Sequence, residues 1–322
     1  MPKLSELLSA GRPWLRGMLG LGIGALFFWL SLRQTSWREV QEILAQTKGS
    51  WLLGAIALYG LDLLVRVVRW RQIMSSIKQL SLRSVGLALI VGYAMNSILP
   101  ARLGELFRAN FAGQRYQMSR TAIAGSIVLE RVLDGLVVVL CLLLGRFFAP
   151  GQPVLNQLTI AGSLLFGVLF LGLWLLSRGR GESFRFQLPP PVVQRLEQFR
   201  RGIGSLRGPL FRQAVLLSAV IWLLEGAVLW AVLQAVDVAL NWQQMLLLVG
   251  VVSLSTLLPS APGFVGTYQY AYVLTLELFD YPPAQGIAAA TATQIFLMGG
   301  VTLIGLGLYL GARWGRLGVA QG

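Results

Sequence analysis

Glu130, Arg131 and Asp134 stand together as Glu-Arg-x-x-Asp, inside an apolar stretch from about Thr121 to Leu144. On a helix this spacing puts both carboxylates on one face, with Arg131 within reach of Asp134. Two chemistries suit the trio: a cluster that takes up and releases a proton, or a contact to a charged ligand headgroup. A salt bridge tying this helix to a neighbour is the plain structural alternative. Ionised groups within a membrane cost about 2.5–3.5 kcal/mol each on insertion scales and default to function.

A second group lies in Tyr93–Arg108, Y-A-M-N-S-I-L-P-A-R-L-G-E-L-F-R. Asn96 and Pro100 break an apolar run, and a helix-capable piece with Arg102, Glu105 and Arg108 follows. Arg102 and Arg108 are planar forks suited to phosphate. Asn96 and Glu105 suit hydroxyl or amine groups, and Glu105 is also spaced to pair with either arginine. A later run breaks at Pro259-Ser-Ala-Pro262-Gly263-Phe264-Val265-Gly266. There Pro262, Gly263 and Gly266 are either turn residues or places where backbone approaches a ligand closely, with the helix restarting near Thr267 aiming N–H groups at it.

Glu225, alone in the middle of an apolar stretch, needs an arginine partner or a proton. With Glu130 and Asp134 it completes the candidates for proton carriage or charge neutralisation. Asp62 and Arg66 form a pair with the acid first. Arg66, Arg69 and Trp70, followed by Arg71, read as a belt at a membrane interface.

These residues must be held by helices. The chain has 322 residues, 55% hydrophobic and 12% charged, where globular domains are about 25% charged. The composition predicts an all-α polytopic membrane protein, a single integral domain over 1–322. With no histidine and one cysteine, Cys141, imidazole metal sites, His-based acid–base catalysis and disulfides are excluded. No P-loop or G-x-S-x-G motif is present, and paired carboxylates for glycoside hydrolysis would need a wet sugar cleft. No cofactor, metal or enzymatic activity is expected. The net charge of +14 is assigned to cytoplasmic loops meeting anionic lipid, since no nucleic-acid module is visible.

Apolar stretches at about 17–32, 51–68, 121–144, 156–176, 213–236 and 287–310 predict six spans, with 33–50 left as a loop. Residues 178–212 form a strongly basic loop. Within it Val192, Leu196, Phe199, Ile203, Leu206 and Leu210 predict an amphipathic helix on the cytoplasmic face. If 84–112 and 245–279 crossed as single spans, arginine-rich loops would face outward, against the positive-inside rule. Read instead as re-entrant hairpins from opposite sides, they put every basic loop and both termini in the cytoplasm. Residues 51–144 and 213–312 then become inverted repeats, a common plan of secondary transporters.

The motifs Arg66-x-x-Arg69-Trp70, Asn96-x-x-x-Pro100-x-Arg102-x-Gly104-Glu105-x-x-Arg108, Glu130-Arg131-x-x-Asp134 and Pro259-Ser-Ala-Pro262-Gly263-x-x-Gly266 resemble the flippase-like transmembrane region of the lysylphosphatidylglycerol synthase family. The resemblance covers roughly residues 50–310. It implies a stand-alone member in a prokaryotic cytoplasmic membrane, without the soluble aminoacyl-transfer domain. Such a protein moves an anionic, aminoacylated or glycosylated phospholipid between leaflets, its headgroup in a polar groove between the hairpins. The alternative is a non-transporting subunit that hands lipid to a separate lipid-modifying enzyme; a homo-oligomer fits either. Phe264 and Gln269 depart from the family pattern, which often has Gly and Glu there.

Overall fold

The computed structural model describes residues 4–33, 35–99, 102–148, 151–178, 189–206, 208–258 and 260–314. Pro100, Pro259 and the loop arginines Arg180, Arg185 and Arg207 lie outside them. Among the described residues every regular element is helical. The twelve helices are α1 (Leu4–Leu32), α2 (Trp37–Ala45), α3 (Gly49–Met74), α4 (Leu82–Ile98), α5 (Leu103–Arg115), α6 (Arg120–Gly145), α7 (Pro153–Arg178), α8 (Pro190–Gly202), α9 (Pro209–Ala235), α10 (Trp242–Ser255), α11 (Thr267–Glu277) and α12 (Pro283–Arg313). α12 contains a π-helical turn at Thr293–Met298.

Of these, α3, α7, α9 and α12 are long and apolar enough to cross a membrane. α6 has the 26-residue length of α3 but carries the Glu130, Arg131 and Asp134 charges mid-helix. At 1.5 Å per residue both reach about 39 Å. α4 and α5, with 17 and 13 residues, reach only about 26 and 20 Å, short of a hydrocarbon core of about 30 Å.

The sequence expectation differs from the structure at three places. α3 continues six residues past Val68, because Arg69 is neutralised by α6 rather than ending the helix. The stretch 33–50 is not a bare loop: Ser36 Oγ accepts from Glu39 N–H and starts α2, whose buried Val40 faces the core. The basic amphipathic helix stops at Gly202, well before Leu210, and a 3-10 turn follows. It stops there because α8 is docked on the protein. Gly202 lies on the Ala122 carbonyl, and a Cβ on Gly125 would stand 2.6 Å from the Phe199 carbonyl oxygen.

Two antiparallel hairpins, α4–α5 and α10–α11, enter from opposite ends of α3. At its C-terminal end Lys78 Nζ donates to the Tyr116 carbonyl (3.1 Å) and Tyr116 OH to the Ser84 carbonyl (2.9 Å). The start of α4 and the end of α5 are thus side by side there. Ser119 Oγ donates to Gln198 of α8 (2.7 Å) at the same end. At its N-terminal end Lys48 N–H donates to the Ala235 carbonyl (2.9 Å), and Tyr281 OH to the Ala239 carbonyl (2.9 Å). The packing pairs also mirror one another. α3 packs on α9; α4 packs on α12 as α10 packs on α6; α5 packs on α6 as α11 packs on α12.

Close backbone approach holds the first hairpin. A Cβ on Gly104 would overlap the Asn96 backbone nitrogen and approach the Gly92 carbonyl oxygen to 2.6 Å, and one on Gly92 would press on the Arg108 side chain at 2.8 Å. Gly104→Val is expected to destabilise the protein by at least about 1–3 kcal/mol through overpacking, seen as a clear drop in melting temperature in detergent. Gly54→Ala, whose added methyl meets open space, should leave it unchanged.

Candidate functional site

On α3, Tyr59, Asp62, Arg66 and Arg69 recur at spacings of three, four and three, so they share one face. That face meets acids from two other helices. Arg66 donates to its own-helix neighbour Asp62 (Nε–Oδ2 2.5 Å) and across to Glu225 of α9 (Nη2–Oε2 2.8 Å). One turn further, Arg69 forks onto Asp134 of α6 at 2.5 and 3.2 Å, donates to Ser218 Oγ at 2.8 Å, and lies 3.6 Å from Glu130.

α6 gathers the rest. Glu130 is fully buried and receives Arg108 of α5 at 3.0 Å and Arg131 at 2.6 Å. Arg131 also lies 3.5 Å from Asp134 and 3.5 Å from Glu105 of α5. Arg108 is 1% exposed, its guanidinium 4.3 Å above the Trp70 ring, a favourable cation–π placement. The Trp70 indole N–H in turn donates to Ser126 Oγ (3.2 Å).

The two helix breaks meet above this cluster. Arg102 takes a left-handed backbone (φ 55°) at the start of α5, which directs its side chain to the other break. Its Nε donates to the Thr256 carbonyl at 2.7 Å and Nη2 to the Thr256 hydroxyl, placing a cation on the open carbonyl end of α10. Its guanidinium also lies 5.6 Å from the centre of the Phe264 ring and 3.9 Å from Glu105. In the second break Gly263 and Gly266 have φ of 67° and 93°, values that favour glycine. Gln269 Oε1 accepts from Gly266 N–H (2.8 Å), and Gln294 Nε2 donates to the Gly263 carbonyl (2.9 Å).

Between the breaks and α3, α6, α7, α9 and α12 lies a cavity of about 200 Å³. Its lining mixes charged or polar side chains (Arg66, Asn96, Arg102, Glu105, Arg131, Asp134 and Glu225) with apolar ones (Val138, Phe166, Val252, Leu257, Phe264, Met298 and Val301).

The structure sorts the predicted residues. Asn96, Arg102, Glu105, Arg131, Asp134 and Glu225 line the cavity. Arg108 and Glu130 do not; they form a buried brace behind it, so Arg108 is not a phosphate fork in this arrangement. Pro262, Gly263 and Gly266 shape the second break, and Phe264 supplies its part of the wall. The interface-belt reading of Arg66, Arg69 and Trp70 is corrected: they are 8%, 0% and 1% exposed, because opposing acids and an arginine stack enclose them. Arg71 is exposed and donates to the Leu80 carbonyl (2.9 Å).

Sequence reasoning missed four contributors. Tyr59 shares the Asp62–Arg66 face, and Trp222 stands one turn before Glu225 and donates to Asp134 (3.3 Å); helical spacing could have found both. Thr256 and Gln294 gave no signal before the folded contacts were known.

A helical membrane protein with a cavity lined by both charged and apolar side chains is the class these features define. The chain belongs to the family described as the lysylphosphatidylglycerol synthase TM region, whose pattern it matches over residues 17–305. It is also 24% identical over 201 residues to the UPF0104 membrane protein MJ1078 of Methanocaldococcus jannaschii, covering 59% of this chain and 82% of that protein.

Removing one partner of a buried ion pair leaves an uncompensated charge, at about 3–5 kcal/mol. Arg69→Met is therefore expected to destabilise strongly. Arg69→Met with Asp134→Leu should be less destabilised than the two single changes added together. A double-mutant cycle on thermal or denaturant unfolding in detergent checks this; simple additivity would mean the pair is not coupled.

Proposed function

We propose that this chain transports lipid between the leaflets of a prokaryotic cytoplasmic membrane, without chemically altering it. The lipid is an anionic, aminoacylated or glycosylated phospholipid. Its headgroup occupies the cavity, with Arg102 and Arg131 on the phosphate, Asn96 and Glu105 on hydroxyl or amine groups, and the tails against the apolar side chains. The single observation that carries this is the mixed lining: a free soluble metabolite has no use for its apolar side chains, and a bare acyl chain none for its charged ones. The family's name ties it to a lipid synthase, which points the same way.

The proposal includes six membrane spans (α1, α3, α6, α7, α9 and α12) and the two hairpins as re-entrant segments of inverted repeats. The short α4 and α5, the neighbouring ends of each hairpin and the mirrored packing pairs support it. Inverted repeats meeting at a central site suit alternating access. Both termini are then cytoplasmic, on the same side as α8.

Two experiments test this. In vesicles of phosphatidylglycerol and phosphatidylethanolamine, the purified protein should move acyl-labelled phosphatidylglycerol between leaflets. Arg102→Ala and Arg131→Ala should each slow this at least about tenfold, the worth of roughly 1.4 kcal/mol of a charge-assisted contact. Rates equal to empty vesicles for wild type would favour the non-transporting subunit instead. For topology, single cysteines in a Cys141→Ser background should label with an impermeant maleimide in a set pattern. Gln114→Cys and Gln194→Cys should react from one side, Glu277→Cys from the other. Reaction of Gln194→Cys and Glu277→Cys from the same side would remove the re-entrant arrangement of the second hairpin, and reaction of Gln79→Cys and Gln114→Cys from opposite sides that of the first.

A further inference from the structure

Charges around the cavity divide unevenly. Arg66 is shared by two carboxylates, Asp62 and Glu225, which leaves that group one negative charge in excess. Arg69, Arg102, Arg108 and Arg131 meet only three, Glu105, Glu130 and Asp134. That group carries one positive charge in excess. Among the described ion pairs none joins the two groups.

The acidic group also has unused capacity. Asp62 is fully buried, yet its Oδ1 has no hydrogen-bond partner. Glu225 lines the cavity with its side chain 23% exposed, and Arg66 is its one cationic partner within hydrogen-bond reach. The titratable groups facing Glu225 are Tyr59, Asp62 and Arg66 on α3, Asp134 on α6, and Tyr268 and Tyr272 on α11. α4 adds Tyr93 to the cavity wall, while the lining residues of α7, α10 and α12 carry no titratable side chain. Glu130 and Asp134 differ from Glu225: each is held by two arginines or more.

We propose that Glu225, sharing Arg66 with Asp62, is a proton site, and that one proton travels with each singly anionic headgroup bound at Arg102 and Arg131. This rests on the lipid-transport reading above. Without a headgroup, the two surpluses offset each other across the cavity. A phosphate monoanion cancels the positive surplus and leaves the negative one uncompensated beside apolar walls, where an unpaired charge is expensive. A proton added to a Glu225 carboxylate oxygen turns it into a neutral carboxyl and removes that charge. Each ligand therefore raises affinity for the other, and the linkage is reciprocal. A metal ion suits the site poorly, since it needs several oxygens at once and the Arg66 guanidinium occupies the space between these. No group of three or more potential metal ligands is found among the described residues.

The test uses the same vesicles with acyl-labelled phosphatidylglycerol, reading the label's leaflet ratio with an impermeant quencher. With the interior one pH unit more acidic, protons leave and carry lipid outward. At full one-to-one linkage the label should be enriched about tenfold in the outer leaflet, since one pH unit is a tenfold factor. A membrane potential at equal pH should leave the ratio at one, because the loaded unit is neutral. Glu225→Gln, and independently Asp62→Asn, should still move label but bring the ratio back to one under the same gradient. Wild type that moves label yet equalises it under every pH gradient overturns the proton site and leaves lipid transport standing. Enrichment driven by sodium at equal pH, or by potential alone, overturns it as well, as does a tenfold ratio that survives in both variants. No movement of label in wild type defeats the transport reading, and this inference with it.

Discussion

Five arginines and five carboxylates buried in or beside one apolar bundle must neutralise one another, and the rest of the structure follows from that requirement. Arg66, Arg69, Arg102, Arg108 and Arg131 are matched by Asp62, Glu105, Glu130, Asp134 and Glu225. Most of these pairs join different helices: α3 to α6 and α9, α5 to α6. No one helix among them could bury its charges alone. The cluster therefore fixes relative position as well as charge, which apolar packing between greasy helices does weakly, because lipid tails are as apolar as leucine. The remaining ion pairs, such as the exposed Arg38–Glu42 on α2, add little, as surface pairs generally do.

A second constraint is that broken helices expose backbone groups that need partners. The second break is answered by one side chain from the first and one of its own. Arg102 covers the Thr256 carbonyl at the end of α10, and Gln269 takes up the Gly266 N–H at the start of α11. α1 closes the outer side of the second break, with Gly20 and Gly24 allowing contact with Ser260, Ala261 and Val265. The cavity survives between these contacts because they tie the tips of the hairpins to each other without filling the space beneath.

Much of this was readable from residue types and spacing. The Glu130-Arg131-x-x-Asp134 face, the need of Glu225 for an arginine, the Asp62–Arg66 pair and the restart at Thr267 all follow from helical periodicity or the cost of a lone charge. What could not be read was partner choice across helices. Arg69 looks like an interface residue in one dimension, since its sequence neighbours are Trp70 and Arg71. Only the approach of α6 turns it inward. Arg108 has the same phosphate-fork chemistry as Arg102, and the sequence treats them alike. Folding sends one over Trp70 and the other into the cavity, a difference set by the left-handed backbone at Arg102 and the close approach of Gly92 to Arg108. α2 was missed although Trp37, Val40, Ile43 and Leu44 recur at helical spacing, because its nine residues are too few to stand out as a span and its cap, Ser36 accepting from the Glu39 N–H, is a local signal.

The departure at Gln269 gains a physical reading from the same contacts. Its amide accepts from the Gly266 N–H with Oε1 and donates to Gln294 Oε1 with Nε2, leaving the Gln294 nitrogen free to donate to the Gly263 carbonyl. The relay runs in one direction and satisfies every member. A carboxylate at 269 could take the first bond but could not make the second. Gln294 would then have to turn its nitrogen toward 269, setting its oxygen against the Gly263 carbonyl, or abandon one contact. The pair Gln269–Gln294 is thus self-consistent as two amides, and it keeps the second break free of charge. With no carboxylate in that break, the acids able to answer a ligand or a proton all sit on α3, α5, α6 and α9. The two hairpins therefore do different work: the first brings charge to the cavity, and the second brings a neutral, hydrogen-bonded rim with two aromatic rings, Phe264 and Tyr268.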